Sequence, residues 1–255
     1  MRATVILGPL KTMNGWRLSA VLLVTGLTCA GAPPPLTIVT FGDSTTAERP
    51  GFTVYSQILE QTLPGRLHEP VRVINAGVRG NTTADAAKRF AHDVLAVHPD
   101  LVVMQFGIND ATIDVWKKPP ATEPRVVLAD YLANLRRFIA GVRAQGGKVV
   151  LMTPNPLRWT PQLVEMYGHP PYNADDPDGL NINLSHYAAA VRELAAQTGV
   201  PLVDIWHAYE TWQGGAADPL VADGMHPNQR GHELVARLLT QTIIEEQLSS
   251  RAPAP

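Results

Sequence analysis

The sequence predicts an α/β protein: a three-layer, doubly wound sheet of about five parallel strands with helices on both faces. Five short apolar runs rich in β-branched residues, at 36–39, 71–75, 101–106, 148–153 and 200–204, alternate with longer stretches of helical periodicity. The runs are nearly continuous rather than alternating in polarity, as strands covered on both faces must be. Strand followed by helix, repeated, gives parallel pairing through right-handed crossovers.

Each element follows from local chemistry. The first strand comes after Pro33-Pro34-Pro35 and delivers Thr40-Phe41-Gly42-Asp43-Ser44-Thr45 to the carboxyl edge of the sheet, where open α/β sheets place their ligands. Val54, Ile58 and Leu59 recur at helical spacing in a segment that opens at Gly51 and ends near Leu63-Pro64-Gly65. The second strand, 71–75, runs into a glycine-bearing loop, 76–83, whose threonines can cap a helix over about 84–97. His98-Pro99-Asp100 breaks that helix, and the third strand, 101–106, ends at Gly107-Ile108-Asn109-Asp110. Residues 111–124 form a loop, and 125–144 an amphipathic helix with Val127, Tyr131, Leu135, Phe138 and Val142 on one face. Gly146-Gly147 ends it before the fourth strand, 148–153. A connection rich in Pro, Asn and Asp, 154–179, leads to a helix at 183–197 and the fifth strand. The pattern is irregular from 205 to 225, and 228–248 is a closing helix with Val235, Leu238, Leu239 and Ile243 inward.

A chain of 255 residues, 45% apolar and 17% charged, without internal repeat or dividing linker, suits a single α/β domain. The formal net charge of −2 and the lack of any basic block argue against nucleic acid as a partner, because phosphate backbones are held by clustered Lys and Arg. Arg2, Lys11 and Arg17 precede the apolar run 18–27, and Ala30-Gly31-Ala32 offers the small residues of a cleavage point. Residues 1–32 are therefore expected to be an export signal and 33–255 the mature domain, secreted or held in the periplasm or envelope. The apolar run is too short to span a bilayer comfortably, so no stable membrane insertion of the mature chain is expected. Cys29, the only cysteine, lies in this segment behind Gly26-Leu27-Thr28, a poor lipoprotein cleavage site. Its removal excludes a disulfide framework, a thiol nucleophile and a cysteine-ligated metal.

Four polar, glycine-bearing stretches carry the chemistry: Gly42-Asp43-Ser44, the loop from Gly77 to Gly80, Gly107-Ile108-Asn109, and Asp223-Gly224-Met225-His226-Pro227. Ser44 is the serine at a strand end; Ser19 lies in the signal, Ser249 and Ser250 in the tail, and Ser56 and Ser185 within helical patterns. A hydroxyl is a weak nucleophile until a base takes its proton, and His226 is the candidate base. Asp223, three residues earlier, can hold the other ring nitrogen and stabilise the imidazolium. Donors for a developing oxyanion are the main-chain N–H of Ser44, the side-chain amide of Asn109 and a glycine N–H, for which spacing allows either Gly77 or Gly80.

With these four blocks in order across about residues 36–248, the sequence resembles the GDSL or SGNH hydrolase family, named for its Ser, Gly, Asn and His blocks. The resemblance implies a flavodoxin-like sheet and a serine esterase with Ser44, Asp223 and His226 as triad. It also implies an oxyanion hole of Ser44, Gly80 and Asn109, with Gly80 chosen over Gly77. Thr45 stands where the commoner first block has leucine, which bears on subfamily only. No Gly-x-Ser-x-Gly stretch is present, which argues against the nucleophile elbow of α/β-hydrolases.

The remaining polar residues need no chemistry. His68, His92, His98, His169, His207 and His232 read as surface or loop residues, and Ser185-His186 point apart as helix neighbours. No His-Glu-x-x-His or comparable spacing appears, so neither a catalytic metal nor another cofactor is expected. Asp175-Asp176-Pro177-Asp178 lacks the oxygen spacing of a calcium loop and reads as a solvated turn. The long loops 111–124 and 154–179 are candidates for lid or specificity elements, with Trp116 and Trp159 as candidate substrate-binding residues and Arg158, Tyr167 and Tyr172 as further cleft linings. The expected partner is a small-molecule or glycan ester, foremost O-acetylated carbohydrate. The competing readings are a short-chain lipid or lysophospholipid acylhydrolase, an acyltransferase, and a glycan-binding protein without turnover.

Overall fold

The computed structural model describes residues 34–213 and 223–249; the expected export signal with Cys29, Ser250, and residues 214–222 of the irregular stretch lie outside them. Five parallel strands, β1 (Leu36–Gly42), β2 (Val71–Gly77), β3 (Leu101–Gln105), β4 (Lys148–Met152) and β5 (Leu202–Val203), are ordered β2-β1-β3-β4-β5. The doubly wound α/β fold is as the sequence predicts. Successive residues of each strand feed opposite faces: Leu36 and Ile38, Leu101 and Val103, and Val150 and Met152 pack on one side, Val39 and Phe41, Val102 and Met104, and Val149 and Leu151 on the other.

The first of these faces is covered by α1 (Tyr55–Leu67) and α8 (Gln229–Glu245), joined by α7 (Ile205–Glu210). The second is covered by α2 (Thr83–Asp93), α4 (Leu128–Ala144) and α6 (Leu184–Thr198) around an aromatic cluster of Phe41, Phe90, Phe106 and Phe138. The short helices α3 (Ile108–Ala111) and α5 (Pro161–Tyr167) lie in the loops after β3 and β4. Because β1 pairs with β2 on one side and β3 on the other, the chain leaves the carboxyl end of β1 at the point where strand order reverses. A crevice opens at such a point. Ser44 sits there.

Several boundaries differ from the sequence expectation, each for a local reason. Helix α4 begins at Leu128 because Arg125 N–H donates to Thr112 O and Val126 N–H to Asp110 O, which holds 125–126 against the loop after β3. Val127 is therefore a half-exposed cap, while Tyr131, Leu135, Phe138 and Val142 are buried as expected. Helix α1 continues past Pro64 to Leu67. Pro64 has no N–H to donate to the carbonyl of Glu60, which is an exposed residue. Helix α2 is capped by Thr82, whose hydroxyl accepts from Asp85 N–H while Asp85 Oδ2 accepts from Thr82 N–H, and it stops at Asp93 before a 3₁₀ turn at Leu95–Val97.

Strand β5 shrinks to two residues between Pro201 and Asp204, whose carboxylate turns away to cap α7 by accepting from His207 N–H. Helix α5 starts at Pro161 behind the cap Thr160, inside the connection expected to be a loop. Leu238 is partly rather than fully buried in α8, beside buried Val235, Leu239 and Ile243. Among the described residues no helix is long and apolar enough to cross a membrane.

Candidate active site

The ends of β1, β2 and β3 and the start of α8 bring their polar residues to one place. His226 Nε2 lies 2.9 Å from Ser44 Oγ, and His226 Nδ1 lies 2.8 Å from Asp223 Oδ2. A carboxylate only accepts, so Nδ1 carries the ring proton and Nε2 is left to accept from the Ser44 hydroxyl. The other oxygen of Asp223 accepts from the N–H groups of Met225 and His226, each at 3.0 Å, which fixes the carboxylate against its own turn. Partial burial pulls the Asp223 carboxyl upward, but these hydrogen bonds outweigh it and hold the group below the usual carboxylate range. Burial lowers the His226 imidazole from its ordinary value against the pull of Asp223, and the guanidinium groups of Arg49 and Arg79 lower it further. Arg49 Nη1 stands 3.6 Å from Asp223 Oδ2. The arrangement holds a neutral imidazole against a hydroxyl at neutral pH, the state a general base requires.

Glycines decide two backbone paths here. Asn81 N–H donates to Val78 O at 3.2 Å, closing a turn whose third residue, Gly80, has φ 75°. Gly224, at φ 72°, lies so near Arg158 O that a Cβ would collide with it. Gly77 N–H donates to Asn75 Oδ1 at 2.9 Å, whereas the N–H groups of Gly80 and Ser44 donate to no acceptor among the described residues. Asn109 bridges the two loops: its Nδ2 donates to Asn81 O at 3.1 Å and to Asp43 Oδ2 at 3.4 Å.

Buried carboxylates stand behind these donors. Asp43 Oδ1 accepts from the N–H and the hydroxyl of Thr45, each at 2.9 Å, yet burial pushes its pKa up to about 6. Burial likewise pushes Asp110 up to about 6, although its Oδ1 accepts from Thr83 N–H at 2.8 Å and the Thr83 hydroxyl at 2.6 Å. The Thr83 bonds tie the loop after β3 to the first turn of α2, three residues after Gly80.

Residues 40–234 match the family described as GDSL-like Lipase/Acylhydrolase. The chain belongs to this family. An acetylxylan esterase of Geobacillus stearothermophilus is 30% identical over 185 residues, 71% of this chain and 76% of that one. The uncharacterized lipoprotein YqeF of Bacillus subtilis is 29% identical over 228 residues, 84% of this chain and 90% of that one. The crystal structure of a catalytic serine mutant of Axe2, an acetylxylan esterase from Geobacillus stearothermophilus, superposes with a TM-score of 0.63 at 26% identity, covering 82% of this chain and 94% of that one. Further catalytic mutants of Axe2 replace an aspartate and a histidine three residues after it, the spacing of Asp223 and His226.

As a GDSL-like acylhydrolase the chain is a carboxylic-ester hydrolase, and a cavity of about 100 Å³ opens beside Asn109. Its walls include Ile108, Leu157, Tyr167, Tyr172, Leu184 and Met225. Of the loop residues singled out in the sequence, Tyr167 and Tyr172 therefore reach this cavity. Trp116 and Trp159 do not line it: Trp116 is 49% exposed and borders a different hollow with Met166 and Pro170, and Trp159 Nε1 donates to Asp176 O. Arg158 holds its backbone to Gly224.

His232, expected at the surface, is buried. Its Nδ1 accepts from Tyr55 N–H at 3.4 Å, its ring stacks on Tyr55, and burial lowers it to about 4. The spacing 232, 235, 239 and 243 along α8 carried that signal. Arg125, Asp114 and Asp110 carried none in the sequence, since their partners lie across loops.

Proposed function

We propose that the protein is an exported acetylesterase that removes acetyl groups from O-acetylated carbohydrate through Ser44, His226 and Asp223. The observation that carries this reading is the unbroken chain from Ser44 Oγ through both nitrogens of His226 to Asp223, with contacts of 2.9 and 2.8 Å. His226 takes the Ser44 proton as the hydroxyl attacks the ester carbonyl. The carbonyl oxygen turns towards the N–H groups of Ser44 and Gly80 and the amide of Asn109, which receive its developing charge. His226, protonated and steadied by Asp223, then gives its proton to the leaving alcohol, and a water activated by the same imidazole releases the acid from the acyl-serine.

The small cavity of about 100 Å³ beside Asn109 supports a short acyl chain as the acid. The acetylxylan esterase relatives support acetate as the acid and a carbohydrate as the alcohol. Residues 1–32 serve as the export signal in this reading and 33–255 as the hydrolase domain, and the lipoprotein YqeF supports a place at the envelope.

The test is hydrolysis of p-nitrophenyl esters of increasing acyl length, then of acetylated xylan and acetylated monosaccharides, by the parent and Ser44→Ala. Acetate is expected to exceed octanoate, with Ser44→Ala reduced to background. Equal rates for parent and variant would sink the mechanism, and a preference for long chains would sink the assignment of the acid.

A further inference from the structure

We infer that Arg125 is a positioning residue for the oxyanion donor, acting through the side-chain amide of Asn109. This rests on the role given to Asn109 above. Arg125 Nη1 donates to Asn109 Oδ1 at 3.3 Å. The same guanidinium is gripped by Asp114, with Nη2 at 2.7 Å and Nε at 3.1 Å from Oδ1, and Nε at 3.2 Å from Oδ2. Asp114 is almost fully buried and is also paired with Lys117 at 2.7 Å, so the anchor itself is held in place.

An amide side chain has two orientations that differ by exchange of oxygen and nitrogen, and only one serves an oxyanion. In the observed orientation Oδ1 faces a guanidinium, which only donates, while Nδ2 faces Asn81 O and Asp43 Oδ2, which accept. The reverse orientation would set NH₂ against the guanidinium and an oxygen against a carbonyl and a carboxylate. Arg125 therefore closes the side of Asn109 that the four sequence blocks leave open. The backbone supports this: Arg125 N–H donates to Thr112 O at 3.0 Å and Val126 N–H to Asp110 O at 3.1 Å, docking the start of the α4 segment beside the loop that carries Asn109.

Because Asn81 O and Asp43 still favour the correct orientation without Arg125, its loss weakens the donor rather than removing it. The experiment is a double-mutant cycle on p-nitrophenyl acetate with Arg125→Gln, Asn109→Ala and the pair, alongside thermal melts. Arg125→Gln is expected to lower kcat about tenfold with KM changed less than about threefold, and to lower kcat less than about twofold when Asn109 is already alanine. An equal fall in both backgrounds, or no fall in the parent background, overturns the proposal.

Asp114→Asn, which loosens the anchor and leaves the guanidinium present, is carried through the same cycle. It decides the matter by the same criteria if Arg125→Gln does not fold. A parent without Ser44-dependent turnover would defeat the mechanism on which this rests, a result distinct from an active parent with an additive cycle.

Discussion

Arg158 N–H donates to Gly224 O at 2.9 Å, so the connection after β4 lies directly against the turn that delivers His226. Asn155 Nδ2 adds a second tie, donating to Met225 O at 3.0 Å. His226 is thus aimed by main chain and a buried amide, both independent of α8. Gly224→Ala would put a side chain into Arg158 O and require φ near 72° of a residue that disfavours it, a conformational cost of about 1–2 kcal/mol before any collision. The variant is expected to melt lower and to lose kcat more than KM. Thermal melts and steady-state kinetics check both.

In the proposed mechanism Asn109→Ala removes a donor to the developing charge while leaving Ser44 and His226 in contact. A fall in kcat of about 10²–10³ with a small change in KM is expected. A variant as fast as the parent would exclude Asn109 from the oxyanion hole.

The proposed mechanism needs His226 neutral, and its burial lowers the imidazole from its ordinary 6.5. Activity should therefore rise with pH through an inflection below 6.5 and level off above it. Arg49 and Arg79 contribute to that lowering, so Arg49→Gln is expected to move the inflection to higher pH. Profiles of kcat/KM from pH 4 to 8 for both proteins read the direction.

Asp110 binds its proton up to about pH 6 in the folded protein and to about 3.8 when unfolded. Its contribution to stability is thus fully present below 3.8 and lost as pH rises through about 6. His232, lowered to about 4 by burial, works in the opposite sense across part of that window, so the parent's slope alone decides nothing. Asp110→Asn should gain on the parent by up to about 3 kcal/mol as pH rises from 4 to 7. Denaturant titrations of both proteins at several pH values give that difference, and parallel curves would contradict the assignment.

The sheet and the hydrogen-bonded contact of Ser44, His226 and Asp223 were legible because each segment is written locally. Continuous apolar runs mark strands covered on both faces, and Gly-Asp-Ser or Asp-Gly-Met-His marks a strand end or helix start wherever it stands. What was not legible depended on pairing across loops. Residues 125–127 have helical periodicity, yet two main-chain hydrogen bonds to 110–112 draw them out of α4 and carry Arg125 to Asn109. In the second block a side chain separates the two glycines, since Asn75 occupies the N–H of Gly77, while that of Gly80 donates to no acceptor among the described residues. Helices α5 and α7 are too short for periodicity to reveal and are announced only by the caps Thr160 and Asp204. Trp116 and Trp159, which composition suggests as a binding face, do not line the cavity beside Asn109: Trp116 borders a different hollow and Trp159 Nε1 donates to Asp176 O.

Ser44 and His226 are separated by 182 positions, and α8, which begins just after His226, is fastened to the start of α1 by Gln229 on Thr53 and His232 on Tyr55. A nascent or clipped chain that ends before His226 would carry a serine with no imidazole to deprotonate it. In the proposed mechanism ester cleavage is thereby postponed until the C-terminal segment has docked, which would make turnover of a chromogenic acetate a direct gauge of how much of a preparation has completed its fold.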